Sequence, residues 1–339
     1  MKKSKGVFII AELSANHNGD IETAKKTVIA AKNSGADAIK LQTYTADTIT
    51  LNTNKEDFRI NQGTIWDGKL LYDLYKEAYT PWEWHKEIFD LAKELDLVCF
   101  SSPFDHSAVD FLETLNCPIY KIASFEITDI PLISYVASKG KPIIISTGIA
   151  QYEDISLAVE ACKKQGNSDI TLLKCTSSYP APIEEANISL MQQIAKDFQV
   201  KVGLSDHTMG STLPIIATAL GASVIEKHFI LDRSIGGPDA SFSMNEREFS
   251  EMVKQIRAAE KSLGSTNYKL SKKQEEAKAF SRSLYISKEI KKGETASKEN
   301  IKSVRPGYSL HPKHFSQIVG KKAKKDFSIG DRISLSDFE

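Results

Sequence analysis

VFIIAELSANHNGDIETAKKTVIAAKNSGADAIKLQ (7–42) contains one full cycle of the pattern that decides the fold. A short apolar run, VFIIAEL (7–13), gives way to a polar knot, then to an amphipathic stretch, IETAKKTVIAAKNSG, then to a second apolar run, AIKLQ (38–42). Short runs rich in β-branched residues are expected of strands buried on both faces of a parallel sheet. Gly35 stands where the intervening helix should stop.

Working outward, the same rhythm continues to about Leu263. Further apolar runs are LVCFSS (97–102), IYKIAS (119–124), PIIIST (142–147), ITLLKCT (170–176), VKVGLS (200–205) and SVIEKHF (223–229). Between them lie helical patterns such as WEWHKEIFDLAKELD, HSAVDFLETL and REFSEMVKQIRAAEKSL, with Pro81 read as a helix-first residue. Eight strands, each followed by a helix, predict an α/β chain folded as a (β/α)₈ TIM barrel. No G-x-G-x-x-G follows the first strand, which counts against a doubly wound dinucleotide-binding sheet.

Two segments break the rhythm. The connection from Thr43 to Thr80, containing Tyr44, Asn61, Gln62, Trp66 and Asp67, is long for a compact domain. It reads as a wall over a substrate site, with a short helix around Lys69 to Ala78. After Leu263 a polar, charge-rich stretch reads as a linker with some helix. The expected division is a barrel over 1–265, a linker over 266–282 and a small, mostly β domain over 283–339. The lysines at 321–325 read as solvated surface.

The 339 residues carry 44 Lys and Arg against 44 Asp and Glu, so no global charge favours nucleic acid or an anionic membrane. The run from Val7 to Ala11 is too short for a signal-peptide core, and nothing approaches a membrane span. A cytoplasmic location is therefore expected. Cys99, Cys117, Cys162 and Cys175 contain no CxxC pair, and their spacing suits neither a disulfide framework nor structural zinc. Cys99 reads as core; Cys175, at a strand end, reads as a packed thiol with a functional alternative.

In a barrel of this kind the active site lies at the C-terminal ends of the strands. The polar residues there are Glu12, Asn16 and His17; Lys40 and Gln42; Ser101 and Ser102; Lys121, Ser124 and Glu126; Ser146 and Thr147; Thr176 to Tyr179; Ser205 to His207; and Glu226 to His228. Two strand-borne lysines in apolar company, Lys40 and Lys121, together with several hydroxyls, suit a compact anion such as a phosphate ester. Structural ion pairing is the alternative. His207 and His228 close adjacent strands, and two imidazoles with water and substrate oxygens suit Mn²⁺, Co²⁺, Zn²⁺ or Mg²⁺; a hydrogen-bonded pair is equally open. His85, His106, His311 and His314 read as surface or helix residues.

Ordered motifs along the chain resemble the N-acetylneuraminate synthase family. They are IAELSxNH (10–17), KxQT (40–43), SSPF (101–104), YKIASxE (120–126), STG (146–148), CTSxYP (175–180), GLSDHT (203–208), IEKHF (225–229) and GPD (237–239). In the tail, SLYxSxxIxxGE and VRPG resemble the antifreeze-like (SAF, β-clip) domain of that family. QTYTADTITL (42–51), GTIWDGKLLYDLY (63–75), TPWEWH (80–85) and KIASFE (121–126) are most similar to its pseudaminate-forming branch. Phe125 replaces the glycine, and Ser177 the asparagine, of many relatives.

The resemblance implies that phosphoenolpyruvate, an open-chain 2,4-diacetamido-2,4,6-trideoxy-L-altrose and water give pseudaminic acid and phosphate, with cleavage of the phosphate's C–O bond. Precursors of neuraminate or legionaminate are the alternative sugars. It further implies that Lys40, Ser102, Lys121, Ser124, Ser146, Ser177 and Ser205 hold phosphoenolpyruvate, and that His207 and His228 hold a required divalent cation (Mn²⁺, Mg²⁺ or Co²⁺). Glu12 and Glu126 would serve catalysis, and Gln42, Tyr179, Asp239 and Arg305 would meet the sugar. The linker is long enough to suggest a domain-swapped homodimer in which Arg305 completes the partner's site. Two readings of other classes are a Schiff-base aldolase using Lys121 or Lys227 and, from the tail alone, an ice- or carbohydrate-binding module.

Overall fold

A computed structural model describes residues 6–339. The first unit, ending at Gly264, is a closed, all-parallel eight-stranded barrel whose strands are neighbours in sequence order. They are β1 (Phe8–Glu12), β2 (Ala38–Thr43), β3 (Val98–Pro103), β4 (Tyr120–Ile122), β5 (Ile143–Ser146), β6 (Ile170–Cys175), β7 (Lys201–Asp206) and β8 (Val224–His228). Each grows from one of the apolar runs read in the sequence. β4 is shorter than its run because the chain leaves the sheet for a 3₁₀ turn over Ser124–Glu126.

Four of the helices around the barrel start on side-chain caps. Asp20, Asp105, Asp129 and Asn245 each accept hydrogen bonds from the first-turn amides of the helices Ile21–Asn33, His106–Thr114, Ile130–Ser138 and Glu246–Leu263. Gly35 stops the first of them with φ of +85°, a conformation that favours glycine. Pro81 does not open its helix but precedes it; the helix runs Trp82–Glu94.

Strand register levels the site residues. Glu12 lies beside Lys40 on β2 and beside His228 on β8, Gln42 lies beside Ser102, and Ser205 lies beside both Cys175 and Glu226. Because alternate strand residues face the same way, Glu226 with His228, and Ser205 with His207, are directed together.

The 43–80 excursion is more ordered than a plain loop. It holds short helices over Ala46–Ile49 and Leu71–Ala78, and a hairpin-like turn where Arg59 pairs with Leu70. The Asp67 carboxylate closes the tip by accepting from the amides of Gly63 (2.9 Å) and Thr64 (2.8 Å). Two buried histidines tie its ends. The Nδ1–H of His85 donates to the Pro81 carbonyl, so its Nε2 accepts from Thr43 at 2.8 Å. His17 accepts from the Gly19 amide on Nδ1 and donates from Nε2 to Thr80 at 3.2 Å. Burial lowers both imidazoles to about 4, keeping them neutral. His85 is thus a helix residue but not a surface one.

The second unit, Ser265–Glu339, begins with a helix at Lys272–Ala277 and has its own core of Leu284, Ile286, Ile290, Ile301, Ile318, Phe327 and Phe338. Its only paired strands are β9 (Ser283–Ile286) and β10 (Ile301–Val304); isolated bridges such as Ile290 with Phe327 replace the further strands expected. Frequent turns leave each extended segment too short for a ladder. No helix among the described residues is long and apolar enough to cross a membrane.

Candidate active site

The C-terminal end of the barrel holds four charged side chains almost wholly out of solvent. Glu12, Lys40, Lys121 and Glu226 are 1%, 3%, 2% and 5% exposed. Lys40 Nζ lies 2.7 Å from Glu12 and 3.6 Å from Glu226; Lys121 Nζ lies 3.1 Å from the same Glu226 oxygen. Gln42 donates to Glu12 (3.0 Å) and Ser205 to Glu226 (3.2 Å). The lysines are therefore ion-paired, as burial demands. Burial, reinforced by Glu226, raises the Glu12 carboxyl toward neutrality, whereas at Glu226 burial is outweighed by Lys121 and Lys40, which hold it well below the usual range. Burial lowers Lys121, whereas at Lys40 burial is outweighed by Glu12 and Glu226, so both amines converge on one firmly ionised carboxylate, Glu226. Glu226, set two residues before His228, is the hub that the sequence reading did not single out; the alternation along β8 was the available signal.

Hydroxyls surround this cluster. Ser102 sits 3.4 Å from Lys40 Nζ, and the buried hydroxyl of Ser146 has no protein hydrogen-bond partner. Ser124 accepts from the Gly148 amide at 3.1 Å. A Cβ at Gly148 would fall 2.1 Å from Ser177 Oγ, 2.8 Å from Ser124 Oγ and 3.1 Å from Cys175 Sγ. Glycine therefore keeps open a cradle between three polar side chains. Cys175 is packed but not inert: burial raises its thiol, and His207, Ser124 and Lys121 outweigh that, bringing it down to about 7.

The imidazoles of His207 and His228 lie with centroids 5.3 Å apart. His207 Nδ1–H donates to the Thr176 carbonyl at 2.9 Å, which orients the ring; burial works against its charged form, but Cys175, the Thr176 carbonyl and Asp206 outweigh that and raise it. His228 Nδ1 is buried without a hydrogen-bond partner, 3.8 Å from Asp239 Oδ2, and burial with the nearby cations keeps this ring neutral. The two rings do not hydrogen-bond each other among the contacts seen, and a neutral, orphaned ring nitrogen beside an oriented one fits a divalent cation. Among the described residues no third His, Cys, Asp or Glu joins them as a ready ligand, so remaining positions would fall to substrate or water oxygens.

An aromatic wall leads away from these rings. Tyr179 lies 4.4 Å from His207 and 5.2 Å from Phe242, Phe242 lies 5.0 Å from His228, and Trp66 reaches Tyr179 at 5.7 Å. Asp239 accepts from the Ala15 amide (3.4 Å), and burial raises its carboxyl. Glu126 makes no ion pair; burial raises it to about 7 against the pull of Lys121, and its Oε2 has no partner. Lys227, by contrast, is locked to Asp206 and to the Thr208 carbonyl, both at 2.5 Å, and is thereby removed as a free amine nucleophile. Every candidate within the barrel lies at its C-terminal end. Arg305 belongs to the second unit, where it lines a cleft of about 360 Å³ with Tyr285, Ser287 and Lys302.

The barrel and the small unit that follows it each match a known family: residues 27–268 match the NeuB family and 281–339 the SAF domain. The chain belongs to the NeuB family. It is 50% identical to the pseudaminic acid synthase of Campylobacter jejuni, over 99% of this chain and 97% of that protein. It is 51% identical to the pseudaminic acid synthase of Helicobacter pylori (98% and 97%), and 40% identical to the N,N'-diacetyllegionaminic acid synthase of Legionella pneumophila (98% and 94%). Among solved structures, the N-acetylneuraminic acid synthetase of Leptospira borgpetersenii in complex with citrate matches with a TM-score of 0.72 at 31% identity, covering 80% of this chain and 90% of that one.

Proposed function

We propose that this chain is a nonulosonic acid synthase that condenses phosphoenolpyruvate with 2,4-diacetamido-2,4,6-trideoxy-L-altrose and water to give pseudaminic acid and phosphate. The observation that carries the reading is the buried cluster of Lys40, Lys121, Glu12 and Glu226 at the same barrel end as the paired imidazoles of His207 and His228. Identity of 50% or more with pseudaminic acid synthases, against 40% with a legionaminic acid synthase, favours the sugar.

In this reading Lys40 and Lys121 bind the anion, with Ser102, Ser124, Ser146, Ser177 and Ser205 completing its oxygens. A divalent cation held by His207 and His228, of the Mn²⁺, Mg²⁺ or Co²⁺ kind, supplies Lewis-acid polarisation of the sugar aldehyde when bound. The methylene carbon of phosphoenolpyruvate attacks the aldehyde carbon, whose oxygen takes the C=O electron pair and a proton, and the positive charge that develops on the adjacent phosphate-bearing carbon is met by the carboxylates. Glu126 acts as the base for the incoming water, because it is unpaired and poised near neutrality; Glu12, held by Lys40 and Gln42, positions the lysine. The adduct then collapses with loss of phosphate, the C–O bond breaking. Gln42, Tyr179 and Asp239 orient the sugar.

The working form in this proposal is a cytoplasmic homodimer, with the barrel (1–265) doing the chemistry, a linker (266–282), and the SAF domain (283–339) of one chain serving its partner through Arg305. Four successive loops beyond β4, β5, β6 and β7 present exposed Phe125, Ile149, Ile183 and Met209, an apolar rim suited to cover by a second copy's small domain. Incubating the protein with phosphoenolpyruvate and each of the three precursor sugars, with and without chelator, tests the function. Phosphate release should be fastest with the altrose derivative and lost on chelation; comparable release with N-acetylmannosamine would overturn the assignment of the sugar.

A further inference from the structure

We infer that Trp66, at the tip of the 59–70 turn, is a specificity-determining residue that reads the deoxygenated C6 end of the sugar. The inference rests on the proposed reaction and deepens it. The tip is preorganised: Asp67 accepts from Gly63 and Thr64, and Arg59 Nη1 donates to the Gly68 carbonyl at 2.7 Å. It is also latched across the molecule, since Trp66 Nε1–H donates to the carbonyl of Pro238 at 3.3 Å, next to Asp239. The indole is half-buried against Tyr179, which in turn packs on His207 and Phe242. Trp66, Tyr179 and Phe242 therefore form one wall that starts at the imidazole pair and ends at the indole.

The chemistry orients the sugar on that wall. Its aldehyde carbon must lie beside the imidazoles and the anion cluster, so the chain runs outward and its C5–C6 end arrives at Trp66. The Tyr179 phenol is the polar member of this wall; the indole's single donor is already engaged by Pro238 and Phe242 has none, so the C6 end meets the apolar face of the indole. A C6 methyl gains contact there, whereas a C6 hydroxyl gives up water without a replacement partner. A purely hydrophobic surface discriminates such a hydroxyl by at most about 100-fold.

The test compares two sugars that differ only at C6, the 2,4-diacetamido-2,4,6-trideoxy-L-altrose and its 6-hydroxy counterpart, with wild type, Trp66→Ala and Trp66→Phe. Wild type should prefer the deoxy sugar in kcat/KM. Trp66→Ala should collapse that preference by about 10-fold or more with little change in KM for phosphoenolpyruvate. Trp66→Phe, which keeps an apolar ring but loses the bond to Pro238, should retain most of it. If Trp66→Ala slows both sugars by the same factor, or Trp66→Phe loses the preference as fully as alanine does, Trp66 only holds the loop and the inference is overturned while the proposed function survives. Wild type failing to use either sugar would overturn both.

Discussion

At the residue scale the account turns on charges that cannot be moved singly. Lys121 and Glu226 are buried partners, so Lys121→Met should destabilise the protein by leaving the carboxylate with Lys40 and Ser205 alone, by less than the roughly 3–5 kcal/mol of a fully stranded charge, and should raise KM for phosphoenolpyruvate. Denaturant titration should show that adding Glu226→Met restores much of the stability but none of the substrate affinity; recovery of both would remove Lys121 from the anion site. Glu126 gives a pH signature. Its carboxyl is raised to about 7, chiefly by burial, so a base at this position is disabled as pH falls below that value. kcat/KM should therefore drop on the acid side near pH 7 in wild type, and Glu126→Gln should lose most activity together with that limb. The same shift opposes stability: with a folded pKa above the ordinary 4.5, the contribution is present below about 4.5 and is lost as pH rises through about 7. Glu126→Gln should be the more stable protein above pH 7, by unfolding measured against pH. For the imidazoles, His207→Ala should weaken Mn²⁺ binding by at least about 10-fold, read directly by calorimetry, and unchanged affinity would refute the ligand role.

At the scale of elements, a short turn does the selecting. Gly148 follows β5 at the point where Ser124, Ser177 and Cys175 converge, and a methyl group there would fall 2.1 Å from a hydroxyl oxygen. Gly148→Ala should raise KM for phosphoenolpyruvate on the order of 10- to 100-fold with the barrel still folded, checked by steady-state kinetics beside circular dichroism. The strands were the most legible part of the sequence. All eight apolar runs became strands within a residue or two, because a parallel sheet covered on both faces leaves little choice of residue. The lysines, hydroxyls and histidines at their ends followed from that placement. What stayed hidden depended on contacts far apart in the chain. Glu226 became a hub only when β8 met β2 and β4 across the barrel; His85, read as a surface or helix residue, is a buried helix residue because Thr43 is brought to it; Trp66 met Pro238 across 172 residues. In the tail, apolar residues promised strands, but turns interrupt the ladders, and isolated bridges carry the pairing instead.

On the whole-molecule scale the proposal is a barrel for chemistry and a small SAF domain that serves a partner. Co-expressing His228→Ala with Arg305→Ala chains probes the exchange. If Arg305 acts in trans, each mixed dimer contains one complete site, and random pairing should restore about a quarter of wild-type activity. An arginine acting within its own chain predicts no recovery. The barrel itself makes the larger claim, that its buried lysines and paired imidazoles join an enol carbon to a sugar aldehyde without a covalent enzyme adduct. Lys227 is engaged by Asp206 and Thr208, and Lys121 by Glu226, so neither amine stands free to attack a carbonyl. The most direct measurement uses phosphoenolpyruvate labelled with ¹⁸O at its bridging oxygen, incubated with the enzyme, divalent cation and the altrose derivative, and read by mass spectrometry. The account predicts that the label leaves with phosphate, that one unlabelled nine-carbon acid forms for each phosphate, and that borohydride traps no adduct. Label retained in the acid, or a lysine carrying a trapped substrate, would contradict it.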